Sequence, residues 1–549
     1  MNEYMSRKNL REVGLEQIID WLPVQTDYGK DHKERIFPHS HSQIEDLRRI
    51  YREMGIFRRG LKSSQSILWN LKGFLSEFKD LRGSLKRVMD QEILNEVELF
   101  EIKNQIMVME ELLEFLRRYP QLSLEKFQME SLAPLIKALD PEGSRVRTFY
   151  IYDSYSNRLY ELREKKRKIT GRIQEIQNQL RQKVFEELEI KPKMNNEVLI
   201  PKEDRSMAKS AEECSLVYFL SETYRSYVFK IVPTDEVILL REESQKLKME
   251  EEEEEFEIRK ILTQRVRDFI DEINKNIHII GELDLTIGKI LLGDDMRGVE
   301  PRIVDDPYIH FLKGRHSVVE HRLHQEGKEY MPVDISLEEG VTIVTGANMG
   351  GKTITLKLIA LIAGMAQLGL YVPAQEATVG PFSFVYFSSG DGQSEEQGLS
   401  TFGSEIYHLK NLTDDQQSNG LILLDELGRG TNPSEGYGIS YGVIEYFKQV
   451  IGITVVTTHL DGLTQIKGVK HLQVVGLRNR KPEEIKEVLD KAGDGKGRLE
   501  DLMDYRLEHG EADREVPKEA MMIARLMGLN EKILEKAEKA LKTKKQEMD

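Results

Sequence analysis

An α/β domain built on a parallel sheet, preceded by a long, mainly α-helical region with a small inserted lobe, is the fold class that three patterns in this sequence predict. The first is a glycine-rich loop, residues 346–353, set between the β-branched run Val341-Thr342-Ile343-Val344 and a helical stretch at residues 354–368. The second is a pair of later strand-like runs, Leu421-Ile422-Leu423-Leu424 and Ile453-Thr454-Val455-Val456-Thr457-Thr458, each followed at once by titratable residues. The third is helical periodicity. Ile169, Ile173, Ile176, Leu180, Val184 and Leu188 recur every three or four residues, and so do Ile258, Leu262, Val266, Phe269, Ile273, Ile277 and Ile280.

Taken in order, residues 1–150 are mixed and helix-leaning, and no chemistry attaches to them. Residues 151–191 form an outgoing amphipathic helix. Residues 192–235 lose the period and carry Val198-Leu199-Ile200-Pro201 and the run from Tyr227 to Val232, which suit short strands of a small lobe. Residues 236–295 return as helix, with the acidic run 250–255 expected as a solvated face. The α/β domain is expected at 300–480 and a helical segment at 481–549.

Composition narrows the class. The charged fraction is 32% and the aromatic fraction 7%, and a net charge of −15 weighs against a surface that grips nucleic acid everywhere. Residues 358–372 are apolar, but the stretch is short for a membrane span and follows the glycine-rich loop, so it reads as a buried helix and no membrane is involved. No signal peptide opens the chain, and the single cysteine, Cys214, excludes an intrachain disulfide. Both point to the cytoplasm.

The loop Gly346-Ala347-Asn348-Met349-Gly350-Gly351-Lys352-Thr353 has the strand–loop–helix context of a phosphate-binding loop. Glycines let the backbone curl so that successive N–H groups face a β-phosphate, and the helix N-terminus adds its positive end. Lys352 supplies a point charge for the β- and γ-phosphates, and Thr353 a hydroxyl for Mg²⁺. An apolar strand ending in Asp425-Glu426 delivers carboxylates to the edge of the sheet where ligands of open α/β sheets bind. Asp425 is the candidate for Mg²⁺ and Glu426 for activating water; His459, after the next strand, is the candidate γ-phosphate sensor. The implied ligands are ATP and Mg²⁺. The other histidines show no metal-site spacing.

These residues resemble the ATPase domain of the MutS proteins, an ABC-type branch of the P-loop ATPases. The resemblance rests on Arg315-His316-Ser317-Val318-Val319-Glu320, the loop at Thr345 to Thr353, Ser400-Thr401-Phe402, Asp425-Glu426-Leu427-Gly428-Arg429-Gly430-Thr431 and Thr458-His459. Residues 520–529 look like the family's helical dimerisation segment. Residues 390–397 and Asn432-Pro433-Ser434-Glu435-Gly436 look like the second bacterial branch, which lacks the mismatch-reading domain. The resemblance implies a homodimer joined through the ATPase domain, with Ser400 and Thr401 reaching the γ-phosphate bound on the partner subunit. It also implies a helical lever running out to a clamp and back, the lobe at 192–235 being a shortened clamp.

The chain departs from the family in four places. The nearest match to a mismatch-reading wedge, Phe185-Glu186-Glu187, falls inside a long helix. Val333 stands where the family usually has Asn, which leaves the adenine contacts open. The lobe carries six basic residues (Lys193, Lys202, Arg205, Lys209, Arg225, Lys230) against seven acidic ones (Glu197, Glu203, Asp204, Glu212, Glu213, Glu222, Asp235), so its charge does not favour DNA. No nuclease-like tail is expected before Asp549. Two functions therefore stand side by side: a nucleotide-switched clamp on DNA in mismatch repair or recombination, and an ATP-driven remodeller of a protein, such as a cobalamin-dependent mutase, or of ribosomes.

Overall fold

The structure, a computed structural model, describes residues 4–144, 146–346, 351–388, 401–414, 419–428, 431–460, 462–476, 504–510 and 529–548, with Met521 and Ala524. The chain forms two compact units, one of residues 77–118 and 129–277, the other of residues 1–76, 119–128 and 278–549.

In the first unit, the helix Asn157–Leu188 starts where Ser156 Oγ accepts from the Arg158 and Leu159 N–H groups, and its periodic residues Ile176, Leu180, Val184 and Leu188 are buried. The helix Asp235–Asp268 starts the same way, on Thr234. Between them lie β1 (Glu197–Pro201), a short helix (Arg205–Glu213), β2 (Val217–Glu222) and β3 (Ser226–Ile231), an antiparallel sheet in the order β1-β3-β2. Val198, Ile200, Phe229 and Ile231 pack on Ile176, Leu180 and Val184. The sequence reading anticipates β1 and β3 but not β2, whose consecutive apolar residues Tyr218, Phe219 and Leu220 are exposed and show no alternation.

The acidic run is only partly solvated, in contrast to the expectation. Glu252 and Glu253 are exposed, whereas Glu251 accepts from Arg163 at 3.0 Å and from Lys166, Glu255 accepts from Arg163 at 2.6 Å, and Glu254 accepts from Ser156 at 2.6 Å. Burial opposes ionisation of Glu251, but the hydrogen bonds from Lys166 and Arg163 outweigh it, and its pKa lies below the usual carboxylate value. A carboxylate with a depressed folded pKa stabilises above its unfolded pKa and ceases to do so as pH falls through the folded one. The melting temperature of this unit, followed by circular dichroism, should therefore drop on acidification from about pH 5 to about pH 3. In Arg163→Gln that dependence should flatten.

The second unit holds two sheets. Four strands, β4 (Arg302–Ile303), β5 (Tyr308–Gly314), β6 (Val333–Glu338) and β8 (Glu376–Val379), run in the order β4-β8-β5-β6. Six more, β7 (Gly340–Thr345), β9 (Phe384–Ser388), β10 (Gly420–Leu424), β11 (Gly452–Thr457), β12 (Lys470–Gly476) and β13 (Asp504–His509), run in the order β13-β12-β7-β11-β10-β9. All neighbours in the larger sheet are parallel except β12 and β13. β10 and β11 are buried along their whole length, which is why they read as unbroken apolar or β-branched runs. The helix Lys352–Gln367 is buried almost throughout, through Leu358, Ile359, Leu361, Ile362 and Met365 among others. Among the described residues no helix is long and apolar enough to cross a membrane.

The N-terminal residues belong to this unit's core. Asn9 donates from Nδ2 to the Phe387 carbonyl (2.6 Å) and accepts from the Phe387 N–H at Oδ1 (3.2 Å), while the Val385 N–H donates to the Tyr4 carbonyl (2.7 Å). Backbone groups on the open side of β9, the edge strand, are thereby satisfied. Gln367, fully buried at the end of the long helix, donates to the His39 and Phe382 carbonyls and accepts from the Phe382 N–H and Tyr4 hydroxyl. Every hydrogen-bonding position of that amide is used, so the helix end is tied to the segment between Tyr4 and His39.

Candidate functional site

The register of the parallel strands lines up the carboxyl ends of β7, β10 and β11, with Thr457 opposite Val344 and Leu424 opposite Val456. The chain leaves each strand into the same crevice, the place where open α/β sheets bind ligands. From β7 it passes Gly346 and re-enters the described structure at Gly351, whose φ of 78° is left-handed and whose residue opens the helix Lys352–Gln367 with no side-chain cap. The first N–H groups of that helix are thus left for an anion.

Lys352 is 5% exposed; its Nζ donates to the Gly346 carbonyl at 2.7 Å and lies 3.4 Å from His459 Nδ1. Thr353 Oγ1 donates to Asp425 Oδ2 at 2.5 Å. Thr457 Oγ1, at the end of β11, donates to Asp425 Oδ1 at 2.6 Å and accepts from the Glu426 N–H at 2.8 Å. Glu426 Oε1 lies 2.5 Å from His459 Nε2. Five residues singled out in the sequence, Lys352, Thr353, Asp425, Glu426 and His459, therefore converge on one spot. Gly346 and Gly351 frame it. Ala347, Asn348, Met349, Gly350 and Ser400 lie outside the described residues, as does the side chain of Thr401, which opens the helix Thr401–Asp414.

Glu426 has φ 54°, a left-handed conformation that costs a non-glycine residue about 1 kcal/mol or more. Thr457 holds it there through the backbone N–H while fixing the neighbouring carboxylate. Two residues on, Gly428 (φ 78°) meets Gly436 so closely that a Cβ would lie 2.9 Å from the Gly436 carbonyl, and Ser440 Oγ donates to the Leu427 carbonyl at 3.1 Å. This seats the loop on the helix Pro433–Phe447. Thr457 is the member of this cluster that sequence reasoning missed: a threonine in a strand is ordinary β-propensity, and only the register puts its hydroxyl beside Asp425.

The oxygen donors of Thr353 and Asp425 suit a hard divalent cation, and the uncapped helix start with Lys352 suits a polyphosphate. Next to Gly351 lies a cavity of about 240 Å³, walled by Val319, Leu323, Tyr330, Met331, Val333 and Tyr505. The Tyr505 ring sits against Gly351, where a Cβ would come within 2.7 Å of Cδ1. Val333 is buried and contributes apolar surface. Ahead of the loop, Arg315 donates to both oxygens of Glu320 at 3.1 and 2.9 Å and to the Met296 carbonyl at 2.6 Å, so this motif braces the unit internally.

Comparison with known proteins agrees with the geometry. Residues 342–545 match the family model of MutS domain V. The whole chain is similar to proteins named Endonuclease MutS2: 27% identical to that of Caldanaerobacter subterraneus subsp. tengcongensis over 97% of this chain and 64% of the relative, and 26% identical to that of Carboxydothermus hydrogenoformans over 99% and 66%. That of Acetivibrio thermocellus is 38% identical over 38% of this chain and 26% of its own length. Residues 342–545 thus carry a MutS domain V. The chain spans just under two thirds of the length of the first two relatives. The MutS domain contains the whole described cluster, because Lys352, Thr353, Asp425, Glu426, Thr457 and His459 all fall within the matched residues. Among the relatives, the second-branch name matches the resemblance carried by residues 390–397 and 432–436.

Proposed function

We propose that this chain binds and hydrolyses ATP and works as a dimeric, nucleotide-switched clamp on DNA. The observation that carries the ATP reading is the convergence of Lys352, Thr353, Asp425, Glu426 and His459 at the carboxyl edge of one parallel sheet. Mg²⁺, held by Thr353 and Asp425, would neutralise charge on the β- and γ-phosphates. Lys352 binds the same phosphates from the loop. Glu426 takes a proton from the attacking water, whose oxygen bonds to the γ-phosphorus as the bond to the β–γ bridging oxygen breaks and ADP leaves. His459 contacts the γ-phosphate and reports its presence to Glu426 through their shared hydrogen bond. Thr457 positions both carboxylates.

The adenine fits the cavity beside Gly351, stacked on Tyr505, with Val333 offering an apolar wall in place of the family's Asn. Tyr505→Ala should then raise the KM for ATP about tenfold and leave kcat nearly unchanged, the pattern of lost uniform binding. A fall in kcat alone would place Tyr505 elsewhere in the cycle. Ser400 and Thr401 are assigned to the partner's γ-phosphate. Mixing Ser400→Ala with Glu426→Gln protein should restore hydrolysis at one of the two sites of the mixed dimer; no recovery would mean a self-contained site.

DNA is favoured as the clamped partner because the MutS resemblance and the MutS2-named relatives lean that way. The helices Asn157–Leu188 and Asp235–Asp268 with the lobe at 192–235 would be the lever and clamp. The six-to-seven charge count of the lobe favours a second reading, in which the same lever remodels a protein or ribonucleoprotein. The deciding experiment is the ATPase rate with and without linear, mismatched and branched DNA at low and moderate salt. Stimulation that fades with salt supports the DNA clamp; no response at either salt rejects it in favour of the second reading.

A further inference from the structure

Away from the nucleotide cluster, a cavity of about 350 Å³ lies where five segments of the same compact unit meet. His278, Glu282, Leu285, Thr286 and Lys289 line it at positions i, i+4, i+7, i+8 and i+11, one face of the helix Ile270–Asp295. Across from them stand His32, Arg35, Phe37 and His39, then Lys126, and finally Leu368, which caps the C-terminal end of the helix Lys352–Gln367. The wall is strongly cationic. Arg35 and Lys126 carry fixed positive charge, Lys289 adds a buried amine, and His32, His39 and His278 add three imidazoles.

The compensating carboxylates are few. Glu282 is the lining acid, and it is already engaged, 3.1 Å from Lys126 Nζ and 3.6 Å from His32 Nδ1. Glu53 approaches Lys126 at 3.4 Å. With Lys289 protonated, three cations against two carboxylates leave one positive charge before any imidazole is protonated. Burial alone would raise Glu282, yet the hydrogen bond from His32 and the charges of Lys126 and Lys289 hold it at about 2.

Lys289 decides what the cavity is for. It is 8% exposed, and among the described residues its one hydrogen bond goes to the Leu368 carbonyl, at 2.8 Å. Capping a helix end explains that bond. It does not explain why the other two N–H groups of a buried ammonium border a cavity, a costly arrangement when they lack acceptors. Burial lowers the Lys289 pKa to about 8, as expected of an ammonium awaiting a counter-ion. A metal is the wrong occupant, because among the described residues no three His, Cys, Asp or Glu side chains are placed to hold one. Ile36, Ile50, Met54 and Leu285 give the other half of the cavity an apolar wall, and its volume falls at the small end of the range for ligand pockets.

We propose that this cavity binds a small phosphorylated metabolite, its phosphate on Lys289, Arg35 and Lys126 and its organic body against Ile36, Ile50 and Met54. The site is separate from the nucleotide cluster. Lys352 begins the helix whose C-cap is Leu368, and sixteen residues at 1.5 Å each put about 24 Å between them. A phosphate on Lys289 would compete with the Leu368 carbonyl for its donors, so occupancy reaches the far end of the phosphate-loop helix. The inference does not rest on the identity of the clamped partner.

Calorimetric titration of the full chain with ribose 5-phosphate, with ADP and Mg²⁺ saturating the nucleotide site, tests this. The expected result is saturable binding with Kd below about 1 mM, weakened at least about tenfold in Lys289→Met, the scale of one lost charge-assisted hydrogen bond, and unchanged in Lys352→Ala. Arg35→Ala, at a helix end, supplies a second variant should Lys289→Met fail to fold, and should weaken binding similarly. Ribose instead of ribose 5-phosphate should not bind. The proposal is overturned by no binding up to about 10 mM, by equal binding in Arg35→Ala and in folded Lys289→Met, or by loss of binding in Lys352→Ala, which would place the phosphate in the nucleotide loop. Tighter binding of a single-stranded oligonucleotide than of ribose 5-phosphate would also overturn it, in favour of a nucleic-acid contact.

Discussion

Glu426→Gln protein is expected to bind ATP with unchanged affinity and to hydrolyse it at least about a hundredfold more slowly, the scale of a lost general base. The substitution keeps the shape of the side chain and a hydrogen-bonding oxygen for His459, 2.5 Å away in the parent. It also leaves the backbone anchor from the Glu426 N–H to Thr457 untouched. What it removes is the ability to accept a proton from water. A single-turnover measurement of phosphate release, alongside equilibrium ATP binding, separates the two quantities. Unchanged turnover would remove Glu426 from the chemistry and turn attention to His459, its neighbour in the cluster. A parallel loss of ATP binding would point instead to a collapsed site, since a catalytic base contributes to the transition state rather than to ground-state affinity.

Lys352→Ala should lower ATP affinity at least about a hundredfold, equivalent to about 2.7 kcal/mol and within reach of one buried ammonium on two phosphates. The side chain is 5% exposed and held by the Gly346 carbonyl, so it is already oriented before any nucleotide arrives. Fluorescence titration with a nucleotide analogue reads the affinity, and thermal melting without nucleotide reads the fold. If the loop were merely a structural turn, the variant would lose stability through the unpaired Gly346 carbonyl and keep its nucleotide affinity. The proposed mechanism requires the reverse.

Five members of the cluster were legible in the sequence because each sits at the end of a short local pattern. Lys352 and Thr353 follow glycines between a strand and a helix; Asp425, Glu426 and His459 follow apolar or β-branched runs. Strands buried on both faces leave a strong sequence trace, and the residue after such a strand has a predictable address at the carboxyl edge of the sheet. The order of the strands was not legible. β11 lies between β7 and β10, although 453 comes after 421, and this arrangement brings the Thr457 hydroxyl between Asp425 and the Glu426 N–H.

By itself, then, the sequence determined the glycine-rich loop between a strand and a helix, the strands that carry the acidic pair and the histidine, and the two long amphipathic helices with a lobe between them, all set by contacts between residues near one another in the chain. Only the tertiary structure decided what residues 4–62 do. Asn9 satisfies Phe387 across 378 positions, and Tyr4 reaches Gln367 across 363. It also decided that Glu251 and Glu255 of the acidic run pair with Arg163 and Lys166, and that six basic side chains from three separate segments share one cavity with Glu282. Periodicity reports which face of an element is buried. It carries no record of which distant element will cover that face, and the free energy of a buried charge depends on that neighbour.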